Sequence, residues 1–73
     1  MQPGTPVEIF DALGYGMTPT WHGDYVYVGD GFRAGGGDVL ENKTRGTVLV
    51  AYASGIFAGC EVRYKRSIVR AKP

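Results

Sequence analysis

The basic residues of this chain are concentrated at its C-terminal end. Residues 62–73 carry five Lys and Arg side chains and no acid, a net charge of +5, whereas residues 1–61 carry three bases against seven acids, a net charge of −4. Such a cluster can bind phosphate groups, because each contact releases counterions condensed on a nucleic acid. The candidate nucleic-acid or anion contacts are Arg63, Lys65, Arg66, Arg70 and Lys72.

A second interpretation of the same residues is a solvated strand face whose cations pair with acids elsewhere in the chain. The formal net charge of the whole chain is only +1. That value is well below the strongly basic footprint expected of a nucleic-acid-binding domain. Both interpretations stay open on the sequence.

A hydrophobic pair defines the next candidate site. Ile56 and Phe57 lie between Gly55 and Gly59, and this spacing predicts the tip of a hairpin. If the pair is exposed, it can anchor a protein partner or a second copy of the chain. The alternative is that the tip folds back and closes the core. Other aromatic side chains that could stack on bases or join a partner contact are Trp21, Tyr25 and Tyr27.

Residues suited to catalysis or metal binding are few and scattered. His22 lies beside Trp21 and Asp24, but no further ligand or nucleophile has a recognisable spacing to it. Cys60 is expected to point inward as a buried, inert thiol. Residues 31–37 resemble a phosphate-binding loop only in glycine content, since the Gly-Lys-Ser/Thr ending is missing. We therefore expect no catalytic residue, no metal and no cofactor.

Length and composition limit the class of protein. Seventy-three residues make a single domain, 1–73, with a small core that self-association would help to stabilise. A lone cysteine cannot form an internal disulfide, which is typical of a reducing compartment, and we expect a cytoplasmic protein. No apolar run approaches the ~18 residues of a membrane span, and no membrane partner is expected. Twelve glycines between short apolar runs predict tight turns between strands.

The apolar pattern predicts about five short strands. Residues 47–53 are apolar on both faces, as in a central or doubly covered strand. Residues 60–65 alternate cleanly, with Cys60, Val62 and Tyr64 inward and the charged residues outward. The other predicted elements are strands at 7–13, 25–28 and 39–41, a loop at 14–24, a turn at 29–31, and a closing strand or 3₁₀ turn at 67–70.

Four short motifs carry a family resemblance. They are Gly37-Asp38-x-Leu40, Arg45-Gly46-Thr47-Val48, Val62-x-Tyr64 and Ile68-Val69. This order resembles the small SH3-like barrels, including the KOW-type modules of transcription and translation proteins, over roughly half of the chain. The resemblance implies a small all-β SH3-like barrel of about five antiparallel strands and a habit of binding nucleic acid or protein. The chain departs from the family in its long glycine-rich loop and its apolar hairpin tip.

Plasmid-type dihydrofolate reductases share this barrel class and act as tetramers around a central pore. Their Val-Gln-Ile-Tyr active-site stretch has no counterpart in this chain, so the resemblance does not extend to their activity. Three functional hypotheses follow. The first is a non-catalytic module that binds nucleic acid or a nucleoprotein through the basic C-terminal strand. The second is an accessory or inhibitory protein of phage or plasmid type that binds a host protein or self-associates through the tip. The third, more remote, is an oligomeric pore-type reductase.

Overall fold

A computed structural model of the chain describes residues 1–31 and 38–73. The glycine-rich segment 32–37, which includes most of the loop compared above with a phosphate-binding loop, lies outside the described residues. The strands and helices are β1 (Pro6–Asp11), β2 (Thr20–Asp30), α1 (Asp38–Thr44), β3 (Thr47–Tyr52), β4 (Glu61–Lys65), the 3₁₀ turn η1 (Arg66–Ile68) and β5 (Val69–Ala71).

The five strands form one antiparallel sheet in the order β4-β3-β2-β1-β5. This arrangement confirms the all-β class and the number of strands. The described residues show no pairing between β4 and β5, so the sheet is not closed by hydrogen bonds. The first and last strands meet at one side of the sheet, where Glu8 lies opposite Arg70.

The core follows from strand periodicity. Alternate residues of three adjacent strands point to one face of the sheet, where water is excluded and each fully buried valine contributes about 1.5–3 kcal/mol. Val69, Tyr52 and Tyr64 pack partly buried against this group. The buried members are Val7, Ile9, Tyr25, Tyr27, Val48 and Val50. The central position predicted for 47–53 is confirmed, because β3 pairs with both β2 and β4.

The structure corrects the prediction of a loop over 14–24. Strand β2 begins at Thr20, five residues before the predicted strand. Its early residues pair with the end of β1, with Trp21 opposite Phe10. A register shift between Val7 and Ile9 precedes that pairing. Such an irregularity leaves no simple alternation in the sequence, which is why the early half of β2 looked like a loop.

The predicted strand at 39–41 is wrong, because Asp38–Thr44 forms the helix α1. Val39 and Leu40 are adjacent, which is not the spacing of a half-buried strand. Gly46 follows with φ +78°, a conformation that commonly ends a helix and that glycine adopts without strain. The two alternatives for 67–70 are both realised, since η1 leads directly into β5. No helix in the described ranges has the length and hydropathy to cross a bilayer.

Candidate functional site

The cations of the C-terminal segment fall into two groups. Arg70 and Lys72 lie at the β5 side of the sheet, and each is paired with an acid. Arg70 Nε donates to Glu8 Oε1 at 2.8 Å, and Lys72 Nζ lies 3.2 Å from Asp24 Oδ1. For these two residues the structure favours the interpretation of cations paired within the chain.

Arg66 is also paired with an acid, but at the opposite side of the sheet. Its guanidinium donates to Asp30 Oδ1, and this hydrogen bond is the main reason why the pKa of Arg66 is raised. Both side chains remain more than half exposed. The ion pair is therefore open to water and to competing anions.

Arg63 and Lys65 project from β4 on the face away from the core, as the alternation predicted. Along β4, exposed residues alternate strictly with half-buried residues. Arg63 Nε donates to the carbonyl of Gly31 at 3.3 Å. The side chain of Lys65 makes no hydrogen bond or ion pair with any described residue. These two side chains are the least committed of the five cations.

The structure adds a base that the sequence analysis missed. Arg45 lines an open pocket of about 290 Å³ together with Asp30, Gly46, Thr47 and Arg66. Thr47 lies opposite Lys65 in the sheet, so the pocket adjoins the start of β3 and the end of β4. We call Arg45, Arg63, Lys65 and Arg66 the basic cluster.

Backbone hydrogen bonds fix the basic cluster to the sheet. The amide of Arg66 donates to Gly46 O at 2.8 Å, and the amide of Gly31 donates to Thr47 O at 3.0 Å. Thr47 Oγ1 in turn donates to the carbonyl of Thr44 at the end of α1. In the sequence Arg45 stands out only as part of a motif of the SH3-like resemblance, and no local pattern places it beside the end of β4.

The hairpin tip is exposed, and its backbone is hydrogen-bonded. Ile56 is 93% exposed and Phe57 is 56% exposed. The amide of Gly59 donates to Tyr52 O at 2.8 Å, and that of Cys60 donates to Phe57 O at 2.9 Å. The Phe57 ring lies 5.8 Å from that of Tyr52. We call Ile56 and Phe57 the apolar tip; of the two alternatives, the structure shows the exposed one.

The other predicted aromatic contacts occupy different environments. Tyr25 and Tyr27 are buried in the core, so neither ring can stack on a base in this fold. Burial is the main cause that raises the pKa of Tyr25, and the hydroxyl of Tyr64, 3.3 Å away, adds to it. Trp21 is half-buried, with the Phe10 ring 5.3 Å from it and Arg70 stacked over it.

Two further predictions concern single polar side chains. The prediction that Cys60 is buried is wrong. Cys60 precedes β4, outside the alternating segment, and its thiol is exposed. His22 lies in β2 opposite Ile9, and its Nε2 is buried with no hydrogen-bond partner among the described residues. The described ranges contain no group of three His, Cys, Asp or Glu side chains placed to hold a metal ion.

The sequence matches no protein-family model, no curated protein and no solved structure.

Proposed function

We propose that this chain is a non-catalytic binding module that contacts the phosphate backbone of nucleic acid through its basic cluster. The observation that carries the proposal is that Arg45, from the turn after α1, shares a pocket with Arg66 at the end of β4, next to Arg63 and Lys65 on that strand. Asp30 is the acid that lines this pocket. The grouping concentrates positive potential at one corner of a chain whose net charge is only +1.

The contact is electrostatic in character. Lys65 and Arg63 have exposed side chains that can reach phosphate oxygens without breaking an ion pair. Arg66 would exchange Asp30 for a phosphate, which suits a planar guanidinium able to donate two parallel hydrogen bonds. Because Tyr25 and Tyr27 are buried, base stacking contributes little, and binding should show weak sequence preference.

Matched lysine variants test the proposal. Lys65→Glu and Lys72→Glu change the net charge equally, but Lys72 is paired with Asp24 outside the basic cluster. Binding of a fluorescent oligonucleotide, measured by anisotropy, should weaken about tenfold or more for Lys65→Glu and little for Lys72→Glu. Arg45→Glu should behave like Lys65→Glu.

The dependence of binding on salt concentration gives a second test, with the same oligonucleotide and the same variants. The logarithm of the binding constant should fall linearly with the logarithm of salt concentration, and the slope should decrease by about one for each cluster base removed. Salt-insensitive binding, equal losses for the two lysine variants, or no binding at low salt would each reject the proposal.

We also propose that the sheet curls into an SH3-like barrel. Two observations support it: η1 precedes a short last strand that pairs with the first, and residues of β1 and β3 share one core cluster. A flat sheet would separate these non-adjacent strands by about 9.5 Å. Nuclear Overhauser contacts between the methyl groups of Ile9 and Val50 would support the curled sheet, and their absence would count against it.

A second candidate function rests on the apolar tip. An apolar residue as exposed as Ile56, presented on a hydrogen-bonded turn, is suited to anchoring a protein partner because little conformational entropy is lost on binding. Ile56→Asp with Phe57→Asp should abolish capture of a partner. Leu13→Asp, at a residue 64% exposed, is the matched control. Capture that survives the double substitution would reject this function.

A further inference from the structure

Strand β4 lies at the end of the sheet, and among the described strands it pairs only with β3. Its other edge is unpaired within residues 1–31 and 38–73. The amide of Tyr52 donates to Cys60 O at 3.0 Å and the amide of Arg66 donates to Gly46 O at 2.8 Å. Even-numbered residues of the strand therefore direct their backbone groups toward β3, and the register between them is unbroken.

The odd-numbered residues consequently direct their N–H and C=O groups to the free edge, because these groups alternate in direction along an antiparallel strand. They are Glu61, Arg63 and, through its N–H, Lys65. The carbonyl of Lys65 lies at the N-cap of η1, where it accepts the first bond of that 3₁₀ turn. The strand contains no proline and no bulge that would disturb pairing with another chain. The free edge of β4 is thus a regular template from Glu61 to the N–H of Lys65.

We propose that the β4 strands of two copies of this chain pair antiparallel at this edge and form a symmetric dimer. The charges on β4 indicate that the strand pairing with its free edge is β4 of a second copy. Around a two-fold axis at Val62, Glu61 of each copy lies opposite Arg63 of the other. Both pairs carry opposite charge, and the two Val62 side chains lie next to each other on the opposite face of the sheet.

Both neighbouring registers place like charges directly opposite each other. Shifting the axis to Arg63 places two arginines opposite each other, although Glu61 of each copy then lies opposite Lys65 of the other. Shifting it to Tyr64 places Arg63 opposite Lys65. Of the three registers, the one centred on Val62 is free of like-charged pairs. Like charges directly opposite in a sheet are destabilising, whereas opposite charges stabilise the pair. The strand is therefore complementary to itself in the register centred on Val62, and this selects a second copy over an arbitrary peptide.

The charged residues also explain why the dimer is weak. Charges on an edge strand generally discourage pairing with foreign strands. Arg63 must also turn its terminal nitrogens toward the second copy and give up the 3.3 Å hydrogen bond to Gly31. An interface of one short strand buries less than the roughly 1,200 Å² of stable complexes, so dissociation constants in the micromolar range are expected.

Sedimentation velocity without nucleic acid, from about 10 μM to about 1 mM protein, tests the proposal and is independent of nucleic-acid binding. Glu61→Arg and Arg63→Glu should each weaken the dimer about tenfold or more, because both cross-strand pairs become like charges. The double variant, Glu61→Arg with Arg63→Glu, should restore it. Mixing the two single variants should give a heterodimer.

Arg63→Pro supplies a second, independent variant. The amide of Arg63 points to the free edge, where proline is tolerated within the monomer but removes a donor needed by the dimer. This variant should stay folded by circular dichroism and sediment as a monomer. A monomer at all concentrations, or a dimer that survives both Arg63→Pro and Glu61→Arg, would overturn the proposal. Failure of the double variant to restore the dimer would overturn the register.

Discussion

The guanidinium of Arg70 stacks over the Trp21 ring, with Cζ 4.2 Å from the ring centroid. The same side chain donates to Glu8. A guanidinium held between the Trp21 ring of β2 and the Glu8 carboxylate of β1 stabilises the pairing of β5 with β1. Arg70 is therefore a structural residue of the outer sheet face, although the sequence alone grouped it with nucleic-acid contacts.

Arg70→Ala should lower the free energy of unfolding by about 1 kcal/mol, since it removes the cation–π contact and the ion pair together. Because Trp21 is the sole tryptophan, its emission reports the change directly and should shift to longer wavelength as the ring becomes more exposed. Arg70→Lys, which keeps the positive charge, should lower the free energy of unfolding by less. An unchanged emission spectrum in Arg70→Ala would contradict the stacked geometry.

Asp24 connects the hairpin tip to the C-terminal end. Ser54 Oγ donates to Asp24 Oδ2 at 2.6 Å, and this bond, followed by the contact with Lys72, holds the pKa of Asp24 below its usual value. A lowered folded pKa stabilises the fold above the unfolded value near 3.8, and that contribution is lost as the pH falls through the folded pKa.

Ser54→Ala and Lys72→Ala should each raise the pKa of Asp24, as carboxyl-carbon NMR titration would measure. Ser54→Ala removes the hydrogen bond that is the largest single cause of the lowered pKa, and Lys72→Ala removes both a hydrogen bond and a Coulombic attraction. An unchanged pKa in either variant would contradict the corresponding contact.

Gly31 marks a close approach between β2 and β3. A Cβ placed there would lie 2.9 Å from Thr47 Cβ and closer still to Thr47 Oγ1. Gly31→Ala should destabilise the protein by about 2 kcal/mol, measured by urea denaturation. Gly29→Ala, two residues earlier and within β2, is the control, because nothing lies within 4 Å of its Cβ. Equal losses of unfolding free energy at the two positions would show that backbone entropy, and not the clash with Thr47, causes the destabilisation.

The elements that the sequence predicted well are those whose pattern is local. In β4, Val62 and Tyr64 alternate with charged residues, so the period of two gives the inward face directly. In β3, which is apolar on both faces, the pattern predicted the central position of the strand rather than its buried face. For Ile56, glycines on both sides predicted a tip, but only the fold shows that its side chain is exposed.

What the sequence could not predict depends on contacts between distant residues. The ion pairs of Arg70 with Glu8 and of Lys72 with Asp24 join residues that are far apart in the sequence. No spacing of residues along the chain therefore predicts them. Arg45 enters the basic cluster through the packing of a turn against the end of β4. Strand pairing across a bulge likewise hid the first half of β2.

Tyr25 makes the stability of this protein sensitive to alkaline pH. Burial raises the pKa of Tyr25, and hydrogen bonds with Tyr64 and Tyr52 raise it further. The folded state therefore keeps the phenol proton at pH values where the unfolded chain, with a pKa near 10, has lost it. Since the folded state then binds more protons, the free energy of unfolding must fall as the pH rises above about 10.

Urea denaturation between pH 8 and 11 should show this decline in the free energy of unfolding. Tyr25→Phe should make the decline less steep, whereas Tyr15→Phe, at a fully exposed ring, should leave it unchanged. A decline of equal steepness in the Tyr25→Phe protein would mean that other groups control the alkaline transition.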